Sequence, residues 1–188
     1  MILIVDDNID EKIGTFQDLL YSSGFKIETA STLDDAIKKF KGHSNSLDAI
    51  ILDYFFPEST KNIKFYNENN VPNGIVFLKE IGFTAHIKGI PLIINTASDE
   101  VERDKWLRQV PYYSNNGQII YKSPAKQPLS FLSPILAKKL IDTIKQRKEE
   151  KETTSKIKPP QNSWNQKNKR FLTDSEGNYI GYNPEYYD

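Results

Sequence analysis

The sequence predicts an α/β fold: a five-stranded parallel sheet with helices on both faces, followed by a C-terminal extension. Three observations predict it. Five short β-branched runs, Ile2–Val5, Lys26–Thr29, Ala49–Leu52, Leu92–Asn95 and Ile119–Tyr121, punctuate the first 150 residues. Stretches with helical spacing lie between them, and strand–helix alternation of this kind implies βαβ units. Runs as uniformly apolar as Ile2–Val5 and Ala49–Leu52 suit strands covered on both faces.

The helices follow from their spacing and punctuation. Ile13, Phe16, Leu19 and Leu20 mark the first, which stops near Gly24. Ala36, Ile37 and Phe40 mark the second, entered through Thr32 and ending near Gly42. Ile75, Leu78 and Ile81 place a third from Gly74 onward. Val101, Trp106, Leu107 and Val110 give a fourth, with Ser98 or Asp99 as its N-cap. Leu132, Ile135, Leu136, Leu140, Ile141 and Ile144 form the apolar stripe of a longer fifth.

Two segments break the rhythm. Residues 58–73 form a long polar connection rich in Asn, Lys and Glu, a length that is usually functional or disordered. Residues 151–188 read as a linker through Pro159-Pro160, then an aromatic-rich tail. In that tail Arg170–Thr173 and Asn178–Tyr182 flank Asp-Ser-Glu-Gly, a hairpin signal. Trp164, Phe171 and four of the ten tyrosines lie there, more aromatics than a polar linker carries, which suggests docking on the preceding domain or on a partner.

Composition narrows the chemistry. With 188 residues and 38% apolar content the chain can bury one ordinary core, and its formal net charge is zero. Residues 145–170 carry nine Lys/Arg against three Glu, whereas 171–188 carry four acidic groups and no basic one. That basic patch is short and the acidic end follows at once, so no nucleic-acid partner is expected. The absence of cysteine excludes disulfides, thiolate metal sites and a Cys nucleophile. The apolar run at Ile2–Val5 is too short for a signal peptide, and no window approaches a membrane span. A cytoplasmic protein without membrane contact is the expectation.

The polar residues at the strand ends carry the functional signal. Asp6 and Asp7 follow the first strand, Asp53 the third, Thr96 the fourth, and Lys122 closes the fifth. A parallel sheet brings such positions to one edge, where chemistry collects in open α/β folds. Three clustered carboxylates repel one another unless a cation sits among them, and hard oxygen donors suit Mg²⁺. A carboxylate can accept a phosphoryl group as an acyl phosphate, with Lys122 and Thr96 contacting its oxygens. His43 and His86 lack metal-ligand spacing and read as exposed bystanders.

This set resembles the response-regulator receiver domains of two-component signalling, the CheY-like family. The matching pieces are Ile-Leu-Ile-Val-Asp6-Asp7-Asn8, Leu-Asp53-Tyr-Phe-Phe-Pro57, Thr96-Ala97 and Lys122-Ser-Pro124, with Asn73-Gly74 in place of the family's usual Asp-Gly. The resemblance covers residues 1–150 and implies a flavodoxin-like sheet of order 2-1-3-4-5. It implies Asp53 as phosphoacceptor, and Mg²⁺ on Asp6, Asp7, Asp53 and the backbone carbonyl of Phe55. It also implies Lys122 paired with the phosphoryl group and Thr96 as the group that senses it. Upstream it implies a histidine kinase or phosphotransfer protein, downstream a protein effector, and no turnover enzyme beyond self-phosphorylation and dephosphorylation. With no recognised output domain in 151–188, the chain reads as a stand-alone receiver.

Four departures qualify the resemblance. The 58–73 insert is long and leaves from beside the phosphoacceptor, placed to cover it or gate a partner. The position three before the lysine, often aromatic, is Ile119, while Tyr121 adjoins the lysine. Phe55 stands where many receivers are polar, which disfavours an attacking water and slows dephosphorylation. Ser123 separates Lys122 from Pro124. The insert and the missing aromatic motivate an alternative, a receiver-fold binding module independent of phosphate. A phosphohydrolase with an aspartyl nucleophile would need a second acid at position 55, and no Gly-rich loop supports a nucleotide site.

Overall fold

Ile2–Val5 has no polar side chain to offer water, and all four residues are buried as strand β1. In a computed structural model, which describes residues 1–110, 119–123, 129, 132–156, 171–173 and 179–182, the sheet is built outward from this strand. β2 (Ile27–Ala30) and β3 (Ala49–Leu52) flank it, then β4 (Leu92–Ile94) and β5 (Ile119–Lys122) follow. All neighbours pair in parallel, in the order β2-β1-β3-β4-β5. This is the sheet order that the sequence resemblance implies.

Side chains alternate across the strands, so the sheet divides the core into two layers. Leu3, Val5, Ile50, Leu52, Leu92 and Ile94 face one layer. Helices α2 (Leu33–His43), α3 (Asn73–Ile87) and α4 (Glu100–Leu107) cover it with Ala36, Phe40, Ile75, Leu78 and Leu107. Ile2, Ile4, Ala49, Ile51 and Ile93 face the other, covered by α1 (Ile9–Ser22) and α5 (Pro134–Lys156) through Ile13, Phe16, Leu20, Leu140, Ile141 and Ile144. Phe40 and Phe77 meet edge to face at 6.3 Å where α2 lies on α3.

The caps follow the sequence closely. Thr32 accepts a hydrogen bond from the Asp35 amide at the start of α2, and Asp99, not Ser98, accepts from the Glu102 amide at the start of α4. Gly24, at φ 85°, takes the left-handed turn after α1.

Four apolar assignments need correction, and one of them is Leu19 on the first helix, which is exposed. Val101 on α4 is 81% exposed, and buried Arg103 occupies the inner face instead. Ile135 is 81% exposed and Leu136 is exposed too, so the first turn of α5 presents Ala137 to the core. His43 is exposed as expected, but His86, near the end of α3, is half-buried.

Residues Met1–Glu152 and Thr153–Asp188 form two compact units. In the second, β6 (Phe171–Thr173) and β7 (Tyr179–Tyr182) pair antiparallel, as the hairpin signal predicts. The turn at 174–178, Pro159-Pro160, Trp164 and Pro124 lie outside the described residues. Among the described residues, no helix is long and apolar enough to cross a membrane.

Candidate functional site

The C-terminal ends of β1 and β3 are adjacent in register, Val5 opposite Leu52. The residues that follow them, Asp6 and Asp53, are therefore neighbours, and the Asp53 amide donates to the Val5 carbonyl at 2.9 Å. Asp6 and Asp53 are buried and Asp7 is exposed. Carboxylate oxygens of all three lie within 4.8 Å of one another. The three acidic residues singled out from sequence are thus brought together.

Their surroundings orient them. Asp6 Oδ1 accepts from the Asn8 amide at 2.8 Å, which closes the turn into α1. Asp53 Oδ1 accepts from the amides of Tyr54 at 2.6 Å and Phe55 at 3.3 Å, which fixes the plane of its carboxylate. The donor set suits Mg²⁺: three hard carboxylates, two of them desolvated, at spacings one small divalent cation can bridge. The order Asp53-Tyr54-Phe55 also puts the Phe55 carbonyl beside the cluster in sequence.

The other sequence candidates are placed differently. Thr96 lies two residues past β4 and is buried; its amide donates to Ser123 Oγ at 3.2 Å, and its hydroxyl accepts from the Ser98 amide at 3.5 Å. Lys122 ends β5, and its ammonium is 2.9 Å from Asp104 Oδ1 on α4. Sequence reasoning assigns this lysine to the phosphoryl group; the structure gives it a carboxylate on the neighbouring helix.

Ser123, which looks like an insertion beside the lysine, is 1% exposed and built into the site edge. Its amide donates to the Ile94 carbonyl, and its own carbonyl accepts from Arg103 Nη1 at 2.6 Å. Tyr121 does not stand in for an aromatic at position 119. The β4–β5 register shifts between Leu92 and Ile93, and this irregularity turns both Ile120 and Tyr121 toward the α1/α5 layer. Ile119 packs on the α2–α4 side.

Residues whose contacts the sequence does not signal tie the site to its surroundings. Tyr54 is fully buried, and its hydroxyl donates to the Arg103 carbonyl at 3.4 Å, a direct link from beside Asp53 to α4. Burial pushes its phenol well above the ordinary tyrosine range. Asn73 is buried and donates from Nδ2 to the carbonyls of Phe56 and Lys64, both at 2.8 Å. No spacing rule flags a lone Asn or Tyr, and a helical Arg ordinarily reads as surface.

The insert is ordered. The amides of Leu33 and Asp34, at the start of α2, donate to the carbonyls of Pro57 and Glu58. Asn67 Oδ1 accepts from the Asn69 and Val71 amides, Tyr66 bridges to Pro72, and the Tyr66 ring lies 5.5 Å from that of Phe55. Ile63, Phe65 and Tyr66 are exposed.

Comparison with solved structures places this architecture. A response regulator receiver domain (CheY-like) from Methanospirillum hungatei JF-1 is similar at TM-score 0.51 and 18% identity, over 81% of this chain and 96% of that one. The fold is that of a receiver domain. A response regulator receiver domain protein from Clostridium thermocellum is similar at TM-score 0.51 and 21% identity, over 81% and 97%. The non-phosphorylated HemR receiver domain from Leptospira biflexa is similar at 0.51 and 19%, over 74% and 92%. No family model and no curated protein matches the sequence. On this receiver fold, the acidic cluster lies at the carboxyl edge of the central strands.

Proposed function

We propose that the chain is a phosphorylatable receiver that accepts a phosphoryl group on Asp53 with Mg²⁺ and signals through protein–protein contacts. One observation carries this reading: Asp6, Asp7 and Asp53 offer oxygens within 4.8 Å of one another at the carboxyl ends of β1 and β3. Two buried carboxylates with a third beside them are costly without a cation.

Asp6, Asp7, Asp53 and the Phe55 carbonyl are the groups that would hold Mg²⁺, which supplies charge neutralisation at the incoming phosphoryl oxygens. The chain's own residues do the rest. An oxygen of Asp53 attacks phosphorus, the donor's bond to phosphorus breaks, and the donor group leaves with that electron pair. The Tyr54 and Phe55 amides hold the attacking carboxylate in plane. Thr96 offers a hydroxyl and Lys122 an ammonium to the transferred oxygens. The half-buried Phe55 ring limits water at the acyl phosphate. The donor is a histidine kinase or phosphotransfer protein, the reader is a protein effector, and the chain is a phosphoacceptor rather than a turnover enzyme.

A second reading, a receiver-fold module independent of phosphate, is favoured by the Lys122–Asp104 pairing and by Ile119. Intact-mass labelling with acetyl phosphate separates the two. A Mg²⁺-dependent gain of one phosphoryl group, absent in Asp53→Asn, is the expected result. No labelling of folded wild type with Mg²⁺ would leave the second reading.

A further inference from the structure

Lys122 and Asp104 are paired across the β5–α4 junction. Arg103 anchors the segment that carries Asp104. The Arg103 guanidinium, 4% exposed as a residue, donates to the Ser123 carbonyl at 2.6 Å and brings Nε to 3.6 Å from Asp104 Oδ1. The same guanidinium lies 3.7 Å from Glu100. The Tyr54 hydroxyl ties the Arg103 backbone to the residue beside Asp53. Asp104 therefore presents its carboxylate from an anchored segment. The Lys122 hydrogen bond holds that carboxylate below its ordinary range, against the opposing effect of burial. Lys122 is a point charge on a flexible four-carbon stem, and both side chains are 36% exposed.

Register places the lysine within reach of a second anion. Lys122 lies opposite Ile94, and Ile94 opposite Leu52, the residue before Asp53. Two strand spacings, about 10 Å, separate the β5 and β3 backbones at that level. A lysine stem spans most of that gap. The ammonium can thus answer to Asp104 or to a group on Asp53, not to both.

We infer that Asp104 is a positioning residue that holds Lys122 on α4 in the unphosphorylated protein and competes with a phosphoryl group on Asp53 for the same ammonium. The inference rests on the phosphoacceptor reading above. A phosphoryl group carries nearly two negative charges against one on Asp104, so it wins the lysine once bound. Phosphorylation then strips α4 of its cation at Asp104 and leaves the Arg103 anchor in place. Signal reaches α4 as a lost ion pair, in a chain whose position 119 is Ile. A pair this exposed is weak, so its removal shifts the competition by at most about five-fold.

The test uses the full chain as wild type, Asp104→Asn and Asp104→Glu. Limited acylation with acetic anhydride, without Mg²⁺ or phosphodonor, reads the Lys122 amine by peptide mass spectrometry against the other lysines. Asp104→Asn is expected to raise Lys122 acylation two- to five-fold, and Asp104→Glu to restore protection. With acetyl phosphate and Mg²⁺, the labelling rate of Asp104→Asn is expected to rise two- to five-fold, with Asp104→Glu near wild type. Unchanged acylation in Asp104→Asn, with normal labelling, would overturn the pairing alone. Raised acylation with unchanged or slower labelling would overturn the competition, because Asp104 would then not be drawing the lysine away. No labelling of any of the three proteins would overturn the phosphoacceptor reading and the competition with it, whatever the acylation shows.

Discussion

Gly74 packs its bare α-carbon against the backbone of Asp53: a Cβ at position 74 would lie 2.4 Å from the Asp53 carbonyl oxygen and 2.7 Å from the Tyr54 α-carbon. The Gly74 amide also donates to the Tyr54 carbonyl at 2.9 Å. Close approach, not an unusual backbone angle, is what requires glycine here. Gly74→Ala must therefore push the start of α3 away from the candidate site. Overpacking of a filled core costs about 1–3 kcal/mol. Urea unfolding of the variant should show that loss, together with weaker Mg²⁺ binding. Wild-type stability in Gly74→Ala would mean that α3 shifts freely there.

The acidic cluster makes a prediction of opposite sign. Asp53 is 2% exposed and shares its surroundings with Asp6 and Asp7. Neutralising one member removes repulsion among buried like charges. Asp53→Asn should stabilise the Mg²⁺-free protein. Added Mg²⁺ should narrow the gap, since a ligand that binds only the folded wild type stabilises it by mass action. Thermal unfolding of both proteins across a Mg²⁺ titration is the measurement. A destabilised variant without Mg²⁺ would contradict the clustering.

Much of this was legible from residue order. The apolar runs of β1 and β3 coincide with the strands, and the residues after them are the clustered carboxylates, because period and strand-end position are local properties. Lys122 falls on the same edge by sequence, and it ends β5. Its partner was not legible, because Asp104 is eighteen residues away on a helix whose rotation a sequence pattern does not fix. The same limit hides Arg103: the apolar pattern phases α4 on Val101, whereas the structure buries the Arg two positions on. The order of the insert depends on single amide and carbonyl partners, such as those of Asn73 and Asn67, which composition reads only as polarity.

Arg103 gives a third test. Its guanidinium satisfies the buried Ser123 carbonyl from a position with almost no solvent. Arg103→Met keeps the stem and removes the donor, leaving that carbonyl unmet at a cost of about 1–3 kcal/mol. Arg103→Lys should not restore it, since an ammonium cannot reproduce the fork that also faces Glu100 and Asp104. Denaturant unfolding of the two variants decides this. Full recovery in Arg103→Lys would show that charge alone suffices.

Asn73 explains why this chain departs from the Asp-Gly expected at the start of α3. Its amide must donate twice, to the Phe56 and Lys64 carbonyls. Asn73→Asp would face those two carbonyls with a buried carboxylate that has no proton to give. The expected result is a loss of about 2 kcal/mol or more, and new protease cleavage within residues 58–72 as the insert loses its anchor. Cleavage rates equal to wild type would place the anchoring of the insert elsewhere, at the Pro57 and Glu58 carbonyls that meet α2.

The Lys122–Asp104 pair also sets a pH dependence whose sign can be worked out. The hydrogen bond from Lys122 lowers the Asp104 carboxyl from its ordinary value, opposed by burial and assisted by the charges of Lys122 and Arg103. The unfolded chain therefore binds this proton at a higher pH than the folded one. The contribution is fully present above the unfolded value of about 4 and is lost as pH falls through the depressed folded value. Both side chains are 36% exposed, so the effect stays below about 1 kcal/mol. Wild type should thus exceed Asp104→Asn in stability at pH 7, and the two should converge toward pH 3. Molar salt at pH 7 should narrow the same gap by screening. Urea unfolding of both proteins from pH 7 to pH 3 checks it. A gap that persists unchanged at pH 3 would assign the effect of the substitution to packing around Arg103 rather than to the charge on Asp104.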